Sequence, residues 1–239
     1  MTTNDTLFII TARGGSKGVP GKNIRLLGNK PLIGYTVDVA KELTSDEHIC
    51  VSTDSTEIRD VVERYGLAVP FLRPEVLARD NSGSYEVLLH AVEFYKAKGI
   101  HYNTLVLLQP TSPFRSARQV KEAIDVYYAA GDIDMVVSVT EVHDNPYFNL
   151  FEQNEEGYLR RSKPGNYTRR QDCPPVYAYN GAIYVINIAS LLKKNLGQFE
   201  KIRKYVMDKV SSVDIDTPLD WLWAEFILSN SREIKLYNE

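Results

Sequence analysis

Cysteine is nearly absent from this chain: Cys50 and Cys173 are the only two among 239 residues. Two thiols so far apart supply neither a zinc site nor a disulfide framework, the pattern expected of a protein that folds in a reducing cytoplasm. Histidine is sparse as well. His48, His90, His101 and His143 have no metal-ligand spacing and no partner serine or cysteine in a recognisable motif, so a hydrolytic triad has little support. A basic excess is also missing. The 28 Lys and Arg against 31 Asp and Glu give a formal charge of -3, the wrong sign for a domain that grips nucleic acid over its surface. No apolar run approaches the roughly 20 residues that span a bilayer. The first one, Leu7–Ile10, is too short for a signal-peptide core and is closely followed by Arg13. Neither nucleic acid nor membrane is an expected partner.

What the chain does have is alternation. Apolar runs TLFIITA, HICVS, LAVPF, TLVLLQ and DMVVSVT are separated by helical patterns over Pro31–Leu43, Thr56–Tyr65, Ser84–Lys98 and Ser116–Ala130. Such strands, apolar nearly throughout, predict an α/β fold with a mainly parallel sheet covered on both faces. One domain over residues 1–239 is expected at this length. Helix starts are well marked: Ser116 with Gln119 reads as a capping box, and Thr217, Pro218 and Asp220 read as a cap, a first-turn proline and a first-turn acid. In that last helix Leu219, Leu222, Trp223, Phe226 and Ile227 share one face, which predicts core packing for both tryptophans. The alternation lapses at about 141–179, where turn formers, charge and Tyr147, Phe148, Tyr158, Tyr167 and Tyr177 point to an ordered, contact-making arm.

The chemistry-bearing stretch is Phe8–Asn23, FIITARGGSKGVPGKN. A strand breaks there into a loop with Gly14, Gly15, Gly18 and Gly21, and Arg13, Lys17, Lys22 and Arg25 are followed by no carboxylate until Asp38. The glycine spacing matches neither the dinucleotide fingerprint nor the P-loop. A cradle of backbone amides and two lysines remains, at a place where open α/β sheets bind nucleotides; the plainer alternative is a basic turn. Near the other end, Asp214 and Asp216 in VDIDT point the same way if the segment is extended, a pair suited to Mg²⁺. The alternative is a cap on the last helix. Arg73, the stretch Ser82–Ser84 and Gln109 follow strands or precede helices, where they would meet a nucleoside or serve as turns and caps. Asp54 reads as a cap on the helix after it. Arg160, Arg161, Lys163, Arg169 and Arg170 crowd the arm and suit an acidic substrate.

The ordered set ARGGSKGVPGKN, VSTD, LRPEVLARD, LLQPTSPFR, RRQDCPPVYAYNGAIYVIN and SVDIDT resembles the CMP-sugar synthetases, in particular the acylneuraminate cytidylyltransferases, over nearly the whole chain. The resemblance implies a three-layer Rossmann-like nucleotidylyltransferase fold and a reaction of CTP with an acidic keto-sugar, giving CMP-sugar and pyrophosphate with Mg²⁺. It also implies a homodimer that exchanges its arms. Arg13, Ser16, Lys17, Lys22 and Asn23 match the family's nucleotide loop, while Arg73 and Ser84 match its nucleoside and sugar region. Gln109, Arg170 and Tyr184 match sugar-side positions, Asn180 opens the N-G-A-I-Y motif, and Asp214 and Asp216 match the metal pair. Arg13 and Lys17 would neutralise phosphate charge. Two departures, Ala178 where the family often has arginine and Phe148 where the sialic-acid enzymes have lysine, point to an altered sugar half and a relative of sialic acid as acceptor. No general base is legible. Rival readings are a nucleotidylyltransferase for another sugar or sugar 1-phosphate, a D-x-D glycosyltransferase, and a nucleotide-binding protein without turnover.

Overall fold

A computed structural model describes residues 5–78, 83–231 and 233. Arg79, Asp80 and Ser82, which belong to the motifs above, lie outside the described residues. The chain opens with β1 (Thr6–Thr11), the two-residue strands β2 (Leu26–Leu27) and β3 (Lys30–Pro31), α1 (Leu32–Leu43), β4 (Ile49–Ser52), α2 (Thr56–Arg64) and α3 (Ser84–Ala97). It continues through β5 (Thr104–Leu108), α4 (Ala117–Ala130), β6 (Met135–Glu141), β7 (Phe151–Gln153), β8 (Leu159–Arg161) and β9 (Tyr177–Asn187). It closes with α5 (Ile188–Leu191), β10 (Ile202–Val206) and α6 (Pro218–Ser229).

The main sheet runs β10-β6-β9-β5-β1-β4. β1 is parallel to β4 and β5, and β10 is parallel to β6. β9 alone runs against its neighbours β5 and β6. The carboxyl ends of the other five strands therefore share one edge.

Side chains alternate across β1 because successive Cβ atoms of a strand point to opposite faces. Phe8 and Ile10 pack with Val106 and Leu108 under α1, α2 and α4, through Ile33, Val37, Ile58, Val62, Val120 and Ala123. Leu7 and Ile9 pack with Leu105 and Leu107 on the opposite face, against Leu88, Ala91 and Tyr95 of α3 and Ile188 and Leu191 of α5. Each such fully buried side chain contributes about 1.5–3 kcal/mol of transfer free energy. The result is the three-layer α/β arrangement expected from the alternation.

A third cluster matters most for function. Val19 of the glycine loop, Leu27, Leu32, Ile215, Trp221 and Ala224 are buried together, so apolar contact helps draw the first loop against the Asp214–Asp216 segment.

Two expectations need correction. LAVPF, residues 67–71, forms no strand; just beyond it Leu72 makes an isolated bridge with Thr53. Pro70 lacks the amide that a ladder requires. The core face of α6 is also not the one expected: Trp221, Ala224 and Ile227 are buried, whereas Leu219 is 74% exposed and Trp223 is 51% exposed. α6 is apolar around most of its circumference, so its period could not choose the inward face. Trp223 stacks instead on the half-exposed Phe226, ring centroids 5.3 Å apart and 9° from parallel.

The arm leaves between β6 and β9, where the last residue of β6, Glu141, pairs with the first of β9, Tyr177. Its root is closed by the Val142 amide donating to the Val176 carbonyl. Inside it, the buried Asn145 donates to the Pro174 carbonyl at 2.9 Å and accepts from the Tyr147 amide at 3.0 Å. Tyr147 and Tyr167 meet edge to face. The hairpin of β7 and β8 turns Phe151, Tyr158 and Leu159 outward. Cys173, half-buried, donates weakly to the Arg169 carbonyl.

Candidate active site

At the carboxyl edge of the sheet lies a cleft of about 520 Å³, lined by Arg13, Ser16, Lys17, Gly18, Lys22, Asn23, Arg73, Ser84, Gln109, Thr111 and Asp216 among others. The glycine loop forms one wall and is held at three points. Asn23, buried, donates from Nδ2 to the Arg13 carbonyl at 3.0 Å. The Gly14 amide donates to Asp54 Oδ1 at 3.1 Å. Lys22 Nζ donates to the Ile215 carbonyl at 2.7 Å and to Asp216 Oδ1 at 2.8 Å. The contact is tightest at Gly18, where a Cβ would stand 1.9 Å from the Asp216 carbonyl oxygen. Loop and carboxylate segment form one wall because nothing larger than hydrogen fits between them.

Asp54 is a site residue that sequence reasoning assigned elsewhere. The cap of α2 is Ser55, whose hydroxyl accepts from the Ile58 amide. Asp54 instead faces the loop and receives Arg73 Nη2 at 3.5 Å. Arg73 is buried, its Nε has no partner, and burial lowers its pKa against the opposing pull of Asp54. The clue was VSTD itself: Ser55 is as good a cap as Asp54, and a strand-end aspartate beside a basic loop has a better use than capping. Asp54→Ala is expected to lower kcat/KM about tenfold or more, by freeing the Gly14 amide and Arg73 together. Asp54→Asn should recover part of the loss, and steady-state kinetics of both variants check this.

The Asp214–Asp216 segment is fixed from several sides. The Ile215 amide donates to the Thr111 carbonyl at 2.9 Å. Thr217 caps α6 with a full capping box to Asp220, and Asp220 Oδ2 also accepts from the Asp216 amide. The expected alternative of a cap is thus met by Thr217, leaving both aspartates for other work. Asp216 opens to the cleft with its side chain 69% exposed. Asp214 sits deeper, against Gly181, where a Cβ would approach its carboxylate to 3.4 Å and where φ is +75°. Its Oδ1 is buried without a hydrogen-bond partner. Burial raises its pKa, the neighbouring Thr111 hydroxyl opposes the rise, the Asp216 carboxylate adds to it, and Lys22 opposes it. An orphaned carboxylate oxygen beside a second carboxylate fits a hard divalent cation such as Mg²⁺.

The remaining predicted residues fall in different places. Gln109, past the end of β5, and Ser84, at the start of α3, line the cleft. Tyr184 on β9 lies close to Asp214; burial raises its pKa first and that carboxylate second. Asn180 is buried with both ends engaged: Oδ1 accepts from Ser138 at 2.5 Å and Nδ2 donates to Ser212 at 2.9 Å. It therefore braces the approach to Asp214 from behind. Arg170 is exposed on the arm and is not among the residues lining this chain's cleft. Ala178 and Phe148 lie on β9 and in the arm.

The family model described as "Cytidylyltransferase" matches residues 7–236. The chain belongs to the cytidylyltransferase family. It is 33% identical over 228 residues to the CMP-N,N'-diacetyllegionaminic acid synthase of Legionella pneumophila, covering 95% of this chain and 97% of that protein. It is 38% identical to the N-acylneuraminate cytidylyltransferase of Streptococcus agalactiae over 90% of this chain, and spans about half, 51%, of that longer relative. A solved CMP:2-keto-3-deoxy-manno-octonic acid synthetase complexed with CTP aligns at a TM-score of 0.69 and 17% identity. That alignment covers 95% of this chain and 99% of the other, and it shows a shared fold. Among the described residues, no helix is long and apolar enough to cross a membrane.

Proposed function

We propose that this cytidylyltransferase joins CTP to a nonulosonic acid, giving the CMP-sugar and pyrophosphate. The observation that carries the reading is the wall shared by the cationic loop and the two aspartates, joined by Lys22 and by the close approach of Gly18. Few chemistries other than transfer on a polyphosphate need so many cations on one cleft with a carboxylate at its surface and a second behind it. The anomeric hydroxyl oxygen of the sugar forms a bond to the α-phosphorus, the bond from that phosphorus to the bridging oxygen breaks, and pyrophosphate departs as the hydroxyl proton is lost. Arg13 and Lys17 neutralise the leaving phosphates, Ser16 and the loop amides donate to phosphate oxygens, and Asn23 keeps the loop closed. Arg73 and Ser84 face the nucleoside. Mg²⁺, held by Asp214 and Asp216, would supply further neutralisation of phosphate charge.

Gln109 and Tyr184 are assigned to the sugar side, with Asn180 bracing the aspartates. Arg170 has its role at a different place: in a homodimer with exchanged arms it would serve the partner's cleft. The outward Phe151, Tyr158 and Leu159 of the arm give such a dimer an apolar surface to bury. The free thiols and a CTP substrate accord with the cytoplasm. Full-length similarity to a diacetyllegionaminic acid synthase, with Phe148 and Ala178 at two sugar-side positions, favours a diacetamido nonulosonic acid over sialic acid itself. Pyrophosphate release with CTP, GTP or UTP and a panel of nonulosonic and eight-carbon keto-deoxy acids tests the reading. Turnover with CTP and a nonulosonic acid is expected. Turnover only with another nucleotide, or CTP binding without turnover of any acid, would overturn it.

A further inference from the structure

Beneath the cleft lies a cation that none of the assignments above uses. Arg115 is 3% exposed. Its Nη1 donates to the carbonyls of Gln109 at 2.7 Å, Ser112 at 3.0 Å and Ala182 at 3.3 Å, and its Nη2 donates to the Thr36 hydroxyl. Nε has no partner. Every one of these acceptors is uncharged, and among the described residues no carboxylate forms an ion pair with this guanidinium. Burial pulls its pKa down to about 9, leaving it charged at neutral pH. The position is costly twice over. A buried charge without a counter-charge is penalised, and Arg115 directly precedes Ser116, the cap of α4, where the helix dipole disfavours a cation.

A methionine would fill much of the same space without either cost, so retention of the charge needs a reason outside the folded chain. The acceptors indicate where to look. Gln109 lines the cleft and stands three residues before Ser112 in the same turn, while Ala182 follows the Gly181 that abuts Asp214. One guanidinium thus ties the turn after β5, the start of the β9 core and α1, directly behind the cleft floor. We propose that Arg115 is a positioning residue that also acts electrostatically. Its fork sets the Gln109–Ser112 turn, and its uncompensated charge is balanced by the polyphosphate of the bound nucleotide. The inference rests on the reading of the cleft as a CTP site.

The test is calorimetric binding of CTP to the full chain and to three variants, with a melting curve for each. R115M is expected to weaken CTP about tenfold, the scale on which removal of one buried charge acts at an effective dielectric of ~20. R115K keeps a charge but loses the fork. It is expected to bind CTP more tightly than R115M at pH 6.5 and, measured against the parent at the same pH, to fall toward R115M as pH rises through the lysine's burial-lowered pKa. T36V, which removes one acceptor of the guanidinium and the hydroxyl's own 3.5 Å bond to the Gln109 carbonyl but keeps the charge, should melt earlier and still bind CTP more tightly than R115M. A merely structural Arg115 predicts that affinity tracks melting temperature in all three, and that result overturns the proposal. Parent-like binding by R115M, or an R115K affinity that does not change with pH relative to the parent's, does the same. Should R115M fail to fold, the R115K pH series decides. Absence of CTP binding in the parent would overturn the nucleotide reading itself and this inference with it.

Discussion

Replacing Asp214 with asparagine is expected to abolish turnover, by about a thousandfold or more, in a protein that melts no earlier than the parent. The two halves of this outcome come from one feature. The Asp214 carboxylate is partly buried with Oδ1 unpartnered, and burial raises its pKa. A carboxyl whose folded pKa lies above its unfolded value is charged at a cost: once the pH has risen past the folded pKa, the folded state carries that penalty and the unfolded state does not. The amide of Asp214→Asn keeps the shape and removes the charge, so stability is kept or gained. The same change removes one of the two anionic ligands proposed for Mg²⁺, and a loss of several kcal/mol of transition-state stabilisation amounts to about a thousandfold in rate. The parent should also bind Mn²⁺ more weakly as pH falls through the raised Asp214 pKa, since proton and cation compete for one oxygen. Melting curves, pyrophosphate release and metal titration check the three parts. Undiminished metal-dependent turnover in Asp214→Asn would remove the metal assignment.

Gly18→Ala adds one methyl group and is expected to cost about a hundredfold in kcat/KM. The new Cβ would lie 1.9 Å from the Asp216 carbonyl oxygen, and the obstacle is backbone, fixed by the Thr217 cap, the Asp220 carboxylate and the Ile215 bond to Thr111. The glycine loop must therefore move away. Its movement lengthens both Lys22 bonds and shifts the cations relative to the aspartates by roughly an ångström or more. Displacements on that scale cost about a hundredfold when several groups must act on one phosphate. A rise in KM for CTP with a fall in kcat is expected, because binding and chemistry use the same wall. Gly15→Ala is the matched control: nothing lies within 4 Å of a Cβ there, and parent-like kinetics are expected.

Much of this site could be read from residues that are neighbours in sequence. The loop announced itself through the density of glycine and cation between Arg13 and Arg25, and the aspartates through their alternation before a capped helix. The three-layer architecture followed from apolar runs of strand length, since parallel strands are buried on both faces. What could not be read depends on partners distant in the chain. Lys22 looked like another phosphate-directed cation, and only the fold brings it to Asp216, 194 positions away. Asp54 was assigned to the helix after it because local capping is visible in sequence and a bond to Gly14 is not. Arg115 stands in LLQPTSPFR without a role legible there, since an arginine at a helix start is ordinarily solvated and its burial depends on the turn after β5, β9 and α1 together. Trp223 was placed inside because a helix apolar on most sides has no inward face of its own.

The two cysteines differ in chemical availability. Cys50 is sealed within the core and burial pushes its thiol up to about 12, so it stays protonated and unreactive at neutral pH. Cys173 lies on the arm and is only half-buried. A thiol reagent applied to the native protein therefore marks the arm alone. A dye or spin label attached there would report arm motion, and in a symmetric pair the distance between arms, with no engineered cysteine and no residue of the cleft altered.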